Sequence, residues 1–322
     1  MFLICDGDAG IHAALMNFRI TSLALVAMIA PAFCQDKTAW TQKDGDGFRD
    51  VLADGKTVLR HMNAWDPARR DETYKPFLHV FDFAGEKPIT KGPGGQFTHH
   101  RGAFIGWNKT SFGGKTYDFW HCKGVERKHV KYLDSSKDGT LVSVTEWPTP
   151  EGKVVISETQ TVRSTKLADG SVQLDFGFRL EAPNGPVKLE GDVQHAGFHF
   201  RAAEEVQKTA KETKYTIPEG ATQVTNDKGK VTADVYENTN WVVCSFVIGD
   251  KRYAVAHFND PKNPMPLQYS TRSYGRFGAF SKAEVKPDAP LNLRYRITIT
   301  DGAKSKAAAD WQKEWDAFAA GR

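Results

Sequence analysis

The chain has 322 residues, 40% hydrophobic and 11% aromatic, which is enough to bury a large core and excludes a disordered chain. Its 43 basic and 39 acidic residues give a formal charge of +4 with no basic run or basic helix face, which excludes a nucleic-acid footprint. No GxSxG elbow, Walker loop, Rossmann fingerprint, HExxH helix or cysteine-rich zinc spacing is present, so the enzyme classes those motifs mark are set aside.

The first 34 residues read as a leader. Met16-Asn17-Phe18-Arg19 is a short basic start, and Ile20–Ala30 is a mostly apolar run. Pro31-Ala32-Phe33-Cys34 then has small residues at the spacing signal peptidase reads, so cleavage after Cys34 is expected. The run is too short to span a membrane. Residues 1–15 contain Asp6 and Asp8 and lack the pattern, which makes Met16 the expected true start. Phe33 is bulky where a lipidated Cys34 would follow a small residue. The expected location is therefore exported, periplasmic or extracellular. Residues 35–322 are expected to form a single domain.

Residues 35–56 are polar and Gly/Asp-rich, as in a loose entry segment or an edge hairpin. From Thr57 onward the β signals begin. Phe77, His79, Phe81 and Phe83 share one parity. Val172, Leu174, Phe176, Phe178 and Leu180 alternate strictly with polar residues or glycine, as do Leu291, Leu293, Tyr295, Ile297 and Ile299. Such alternation puts one face on a core and the other toward water. Asp138-Gly139, Asp169-Gly170, Asn184-Gly185 and Gly249-Asp250 supply turns. Strand after strand without helical alternation predicts an all-β fold, a large antiparallel β-sandwich of twelve or more strands. Val206–Val235 is lysine-rich and reads as an excursion or long loop. Trp311, Trp315 and Phe318 form the stripe of one C-terminal helix over Ala303–Ala320, with Asp301 as its expected cap. Cys122 and Cys244 remain after the leader, either as a disulfide or as two separate core thiols.

The residues with chemistry gather around Thr98–Trp120, a stretch followed directly by His121. His99 and His100 are adjacent, so strand parity sends them to opposite faces and only one of them is expected to face a site, with His100 preferred. In Gln194–Arg201, His195, His199 and Arg201 share one parity, opposite Ala196, Phe198 and Phe200. That face reads either as a proton-transfer or ligand-binding surface or as a solvated outer face. Glu158 interrupts the apolar parity of Val154–Val162. It is read as a general acid or base with a raised pKa, or as one half of a buried pair with arginine. His79 reads as a satisfied core histidine or a pocket wall. Tyr274 and Arg276 stand between glycines, where a guanidinium could fork a carboxylate and an aromatic could stack on a sugar.

Taken in order, Tyr74–His79, His99–Gly102 with Gly106-Trp107, Asp118–His121, Gln194–Arg201 and Tyr274–Gly278 resemble a secreted bacterial family labelled "methane oxygenase PmoA", also treated as a domain of unknown function. The resemblance runs from about Thr57 to Thr300. It implies a β-sandwich and, from the company such proteins keep, carbohydrate chemistry. The strands with charged faces and the lack of a spanning helix after the leader argue against a methane monooxygenase. The residues leave two readings open. One is a glycoside hydrolase or polysaccharide lyase, with His99, His100, His121, Glu158, His195 and His199 moving protons. In it His79, Arg101, Tyr274 and Arg276 would bind a hydroxyl-rich or acidic glycan. The other is a non-catalytic carbohydrate- or metal-binding sandwich whose histidines hold copper or zinc. Oligomeric state is not legible.

Overall fold

The two strictly alternating runs become the middle of a sheet. In this computed structural model, which describes residues 38–134, 139–225, 231–304 and 306–321, Val172–Glu181 pairs with Leu291–Asp301 in antiparallel register, Val172 opposite Ile299. One parity of each strand is buried and the other partly exposed, as period two requires. Among the described residues the strands form three antiparallel sheets of ten, eight and four strands. Two of them face each other across a common core. Phe198 of the ten-stranded sheet packs on Phe176, Phe178 and Tyr295 of the eight-stranded sheet, with ring centroids 4.7–5.2 Å apart. The architecture is a large antiparallel β-sandwich with a C-terminal helix. Thr38–Arg322 forms one compact unit. The expected leader lies outside the described residues. No helix among the described residues is long and apolar enough to cross a membrane.

Several expectations need correction. The polar entry segment needs none: of its two readings it takes the edge hairpin, Trp40–Gly45 paired with Phe48–Ala53. Val206–Val235 is not one long loop: it holds the end of the 3-10 turn Glu204–Gln207, the 3-10 turn Ala210–Glu212, the strands Lys214–Thr216 and Thr222–Thr225, and the start of Val231–Glu237. The helix begins later than its composition suggested, at Ala308, and Asp301 does not cap it. Asp301 instead accepts from Ala303 N (3.0 Å) in the preceding turn, and Asp310 accepts from Ala307 N (3.3 Å). The stripe works as expected: Trp311 and Phe318 pack on Trp241, Ala256 and Phe258, covering the outer side of the eight-stranded sheet. Cys122 and Cys244 are both free and buried.

The ten-stranded sheet is what positions the site. Its central strands are Phe77–Val80, Ala103–Trp107, Ala196–Arg201 and Arg276–Phe280. Leu78, Ile105, Phe198 and Phe277 point into the sandwich core. The opposite parity carries Phe77, Phe104, His199 and Arg276. That side is not solvated, because Phe77 and Phe104 form a second small apolar cluster with Trp120. Ala196–Arg201 is buried along both faces for this reason, and an outer solvated face is ruled out.

Two histidines within the sandwich give a pH prediction. Burial pushes both His61 and His257 down to about 3 from an ordinary 6.5. The unfolded chain therefore binds protons that the fold refuses as pH falls from 6.5 toward 3. Stability is expected to decline through that window by up to ~1.4 kcal/mol per pH unit for each histidine. Urea midpoints measured across it check this; a midpoint that holds steady or rises toward acid would contradict it.

Candidate functional site

The outer side of the ten-stranded sheet carries three loops that bring histidines together. The first loop runs from Lys91 to Gly102 and closes on itself, Gly102 N donating to Lys91 O (2.8 Å). It is tied to the sheet by Lys91 N to Arg201 O (3.0 Å) and Arg201 N to Gly102 O (2.8 Å). His99 and His100 stand in this loop, not in a strand, so alternation does not separate them. Their rings meet at 4.3 Å. The parity argument that only one of them faces the site fails here.

The second loop is the turn Asp118–Cys122. Asp118 Oδ1 accepts from Trp120 N (3.1 Å) and His121 N (2.8 Å), which shapes the turn, while Oδ2 holds His121 Nδ1 at 2.8 Å. Gly106 lets this turn lie flat on the sheet, since a Cβ there would sit 2.9 Å from Phe119 O. The third is the turn entering Ala196–Arg201. Asp192 Oδ1 accepts from Gln194 N (3.0 Å) and holds His195 Nδ1 (2.9 Å); its Oδ2 takes Asn108 Nδ2 (2.7 Å). Burial raises the Asp192 carboxyl, but the His195 and Asn108 hydrogen bonds outweigh it and hold the group at about 2. Asp118 is likewise held low against burial. A carboxylate on Nδ1 fixes the ring orientation and leaves Nε2 for whatever occupies the site.

Lys75 joins the first two loops. Fully buried, it donates to His99 O (2.9 Å) and Trp120 O (2.6 Å), with its ammonium 3.5 Å from the Phe104 ring centroid. Burial drives its pKa well down.

The outcome is one cluster. His99 lies 4.5 Å from His121 and 5.8 Å from His195 between ring centroids, and His121 lies 4.7 Å from His195. One ring nitrogen of each lies within 4.8 Å of the others, a set able to hold a metal ion. All three are half-buried, so the cluster remains reachable. His100 is 3% exposed and 5.9 Å from His195. Burial pushes His99 down to about 3 and His100 further still, which keeps both imidazoles neutral. Four buried atoms here have no hydrogen-bond partner among the described residues: His99 Nε2, both nitrogens of His100, and Trp120 Nε1. An unpaired buried polar atom costs ~1–3 kcal/mol, so such a concentration marks a place shaped for a ligand. Phe97, 39% exposed, and half-buried Tyr274 form an aromatic rim, 5.3 Å apart and each near the His100 ring. Phe97 and Cys122 both hold positive φ, +53° and +58°, on either side of the histidines.

Other expected site residues stand elsewhere or play other parts. Arg101 is 0% exposed and donates to the carbonyls of Thr98 (3.0 Å), Glu72 (2.7 Å) and Asp71. It clamps the histidine loop and cannot meet a substrate. Arg276 is buried, donates to Ser270 Oγ (2.9 Å) and faces His199 Nδ1 (3.5 Å). His199 Nε2 donates to Ala196 O (2.8 Å), and its ring packs on Trp120 at 4.6 Å, so it supports the cluster from below. His79 is engaged with Thr90 Oγ1 (3.0 Å) and Phe77, apart from the cluster. Glu158 belongs to the eight-stranded sheet and faces the core. Arg127 Nη2 meets it at 2.5 Å and Trp147 Nε1 at 2.9 Å, the paired arrangement, with no contact to the histidines among the described residues. Burial pushes its carboxyl up, against the pull of Arg127.

Sequence reasoning passed over Asp118, Asp192 and Lys75. Two of them carried a signal: Asp118-Phe-Trp-His121 and Asp192-Val-Gln-His195 are the same Asp-x-x-His spacing, and in both the carboxylate accepts from the backbone N–H two residues on and holds the histidine Nδ1. Lys75 carried none, because a lysine is ordinarily solvated.

Fold and site together define an antiparallel β-sandwich with a histidine-lined, aromatic-rimmed site on the outer side of its larger sheet. The chain belongs to the family of unknown function DUF6807, whose model matches residues 49–315. That description agrees with a domain of unknown function and carries no methane-oxygenase label. No curated protein matches the chain. Among solved structures it is similar to a GalM/aldose epimerase homologue from C. elegans, at 8% identity and a TM-score of 0.35, covering 82% of this chain and 98% of that one. It is also similar to a candidate kojibiose phosphorylase from the human microbiome, at 9% and 0.34, covering 81% and 35%. A polysaccharide lyase gives 10% and 0.34, covering 82% and 33%. The chain thus spans about a third of the length of the last two. These likenesses are too remote to bear on function.

Proposed function

We propose that the histidine cluster is the working site of an exported carbohydrate-active enzyme, a hydrolase or lyase. The observation that carries this reading is the convergence of His99, His100, His121 and His195 with unpaired buried nitrogens beneath the Phe97–Tyr274 rim. The rim offers a flat apolar face to a sugar ring, and the nitrogens below offer hydrogen bonds to its hydroxyls. His121 and His195, each oriented through Nδ1 by a carboxylate, present Nε2 in a fixed orientation to whatever is bound between them, a preorganised arrangement for catalysis. With Arg101 and Arg276 buried, the part of the reading that gave those two an acidic sugar falls away, and a hydroxyl-rich glycan remains. The basic start and apolar run at 16–30 support export.

The test is product formation by the purified chain on a panel of oligo- and polysaccharides, read as new reducing ends for a hydrolase or unsaturated ends for a lyase. Phe97→Ala is expected to raise KM with a smaller change in kcat, because it removes part of the rim and leaves the histidines. Saturable glycan binding without product would make the protein a binding module. Neither binding nor product on the panel would remove the carbohydrate reading.

A further inference from the structure

We propose that His99, His121 and His195 form a binding site for one divalent transition-metal ion of the zinc or copper class. The inference rests on the site described above and names its cofactor. Three imidazoles from three separate loops offer one nitrogen each within 4.8 Å of one another, and among the described residues no other group of three such ligands does so. An ion bound by imidazole sits ~2.0–2.1 Å from each nitrogen, so small side-chain rotations would close the set around it. Imidazole suits zinc and copper better than calcium or magnesium, and no carboxylate enters the ligand set.

The surroundings are those of a metal site. His121 and His195 are each backed on Nδ1 by a carboxylate, Asp118 at 2.8 Å and Asp192 at 2.9 Å, as ligating histidines are. His99 Nε2 is buried and has no partner among the described residues, although its loop is held in place by Lys75. All three loops are tied to the rigid sheet, so the ligands are positioned before an ion arrives. Three protein ligands leave a further coordination position, the pattern of catalytic sites. His100, unpaired and packed against His99, lies beside the trio with Phe97 and Tyr274. It is the group placed to meet a substrate oxygen held there.

The experiment uses the full chain purified without a polyhistidine tag, stripped with chelator and titrated calorimetrically with Zn²⁺ alone and with Cu²⁺ alone. Saturable binding of a single ion per chain is expected. His121→Ala is expected to abolish it. Asp118→Asn and Asp192→Asn are expected to weaken it by ~10–100-fold while leaving the ligands in place. Circular dichroism of each variant separates lost ligation from lost folding, and Asp192, half-exposed, is the safer position. No saturable binding by the wild-type chain, or unchanged binding in a folded His121→Ala, would overturn the inference. The two readings fail separately. A metal-free wild type that still converts glycan would remove the metal site and leave the carbohydrate reading. A chain that binds the ion but neither binds nor converts any glycan would do the reverse.

Discussion

His195→Ala is expected to lower turnover of the responsive glycan by ~10²–10⁴-fold, the range seen when a positioned catalytic group is removed, because one of the three converging imidazoles is lost. The loss should fall on kcat rather than on folding. His195 is only half-buried, its strongest tie is to Asp192 at 2.9 Å, and it precedes the strand Ala196–Arg201 rather than standing inside it. Asp192→Asn should give a smaller loss. The amide can still accept from Nδ1, but it carries no charge to favour the oriented ring. His79→Gln is the matching control, since His79 is engaged with Thr90 and Phe77. Steady-state kinetics with thermal unfolding of each variant decide the matter. Full turnover in a folded His195→Ala would place the chemistry outside the cluster.

Breaking the Glu158–Arg127 pair should have the largest effect on stability. Both side chains are nearly inaccessible, 3% and 2%, and the Nη2–Oε2 distance is 2.5 Å. Glu158→Ala leaves the Arg127 guanidinium buried with its charge uncompensated, at a cost of ~3–5 kcal/mol. Arg127 also donates to Ile105 O and lies 4.4 Å from the Trp147 ring centroid, so Arg127→Ala loses packing as well. Replacing both, as Arg127→Met with Glu158→Leu, should cost less than either single change, because no charge is then stranded. Urea denaturation of the four proteins tests this. Additive losses would show that the pair is not coupled. The same arrangement explains why a glutamate on an apolar strand face was open to a catalytic reading: its partner lies 31 positions earlier, on no pattern that sequence periodicity reveals.

Legibility followed burial. Val172–Leu180 and Leu291–Ile299 could be read because one face of each strand meets the core and the other meets water. Ala196–Arg201 misled because both its faces are covered, one by the opposing sheet and one by Trp120 and its neighbours, so polarity no longer reports exposure. Arg101 misled for a related reason. An arginine beside histidines resembles a ligand-binding group, yet its donors are spent on three backbone carbonyls.

By itself the sequence determined the class of fold, the C-terminal helix and the set of imidazoles available for chemistry, all of which depend on residue type and local spacing. It also contained the two Asp-x-x-His turns, since a carboxylate three residues before a histidine reaches it within one turn. Only the tertiary structure decided which imidazoles meet. His99, His121 and His195 come from segments as much as 96 positions apart in the chain numbering. They converge because the loops entering two adjacent strands of the ten-stranded sheet and the turn that follows Lys115–Tyr117 of the four-stranded sheet meet over one face, and a buried lysine holds two of them together. Sheet pairing across such separations is set by long-range packing, which no local pattern encodes.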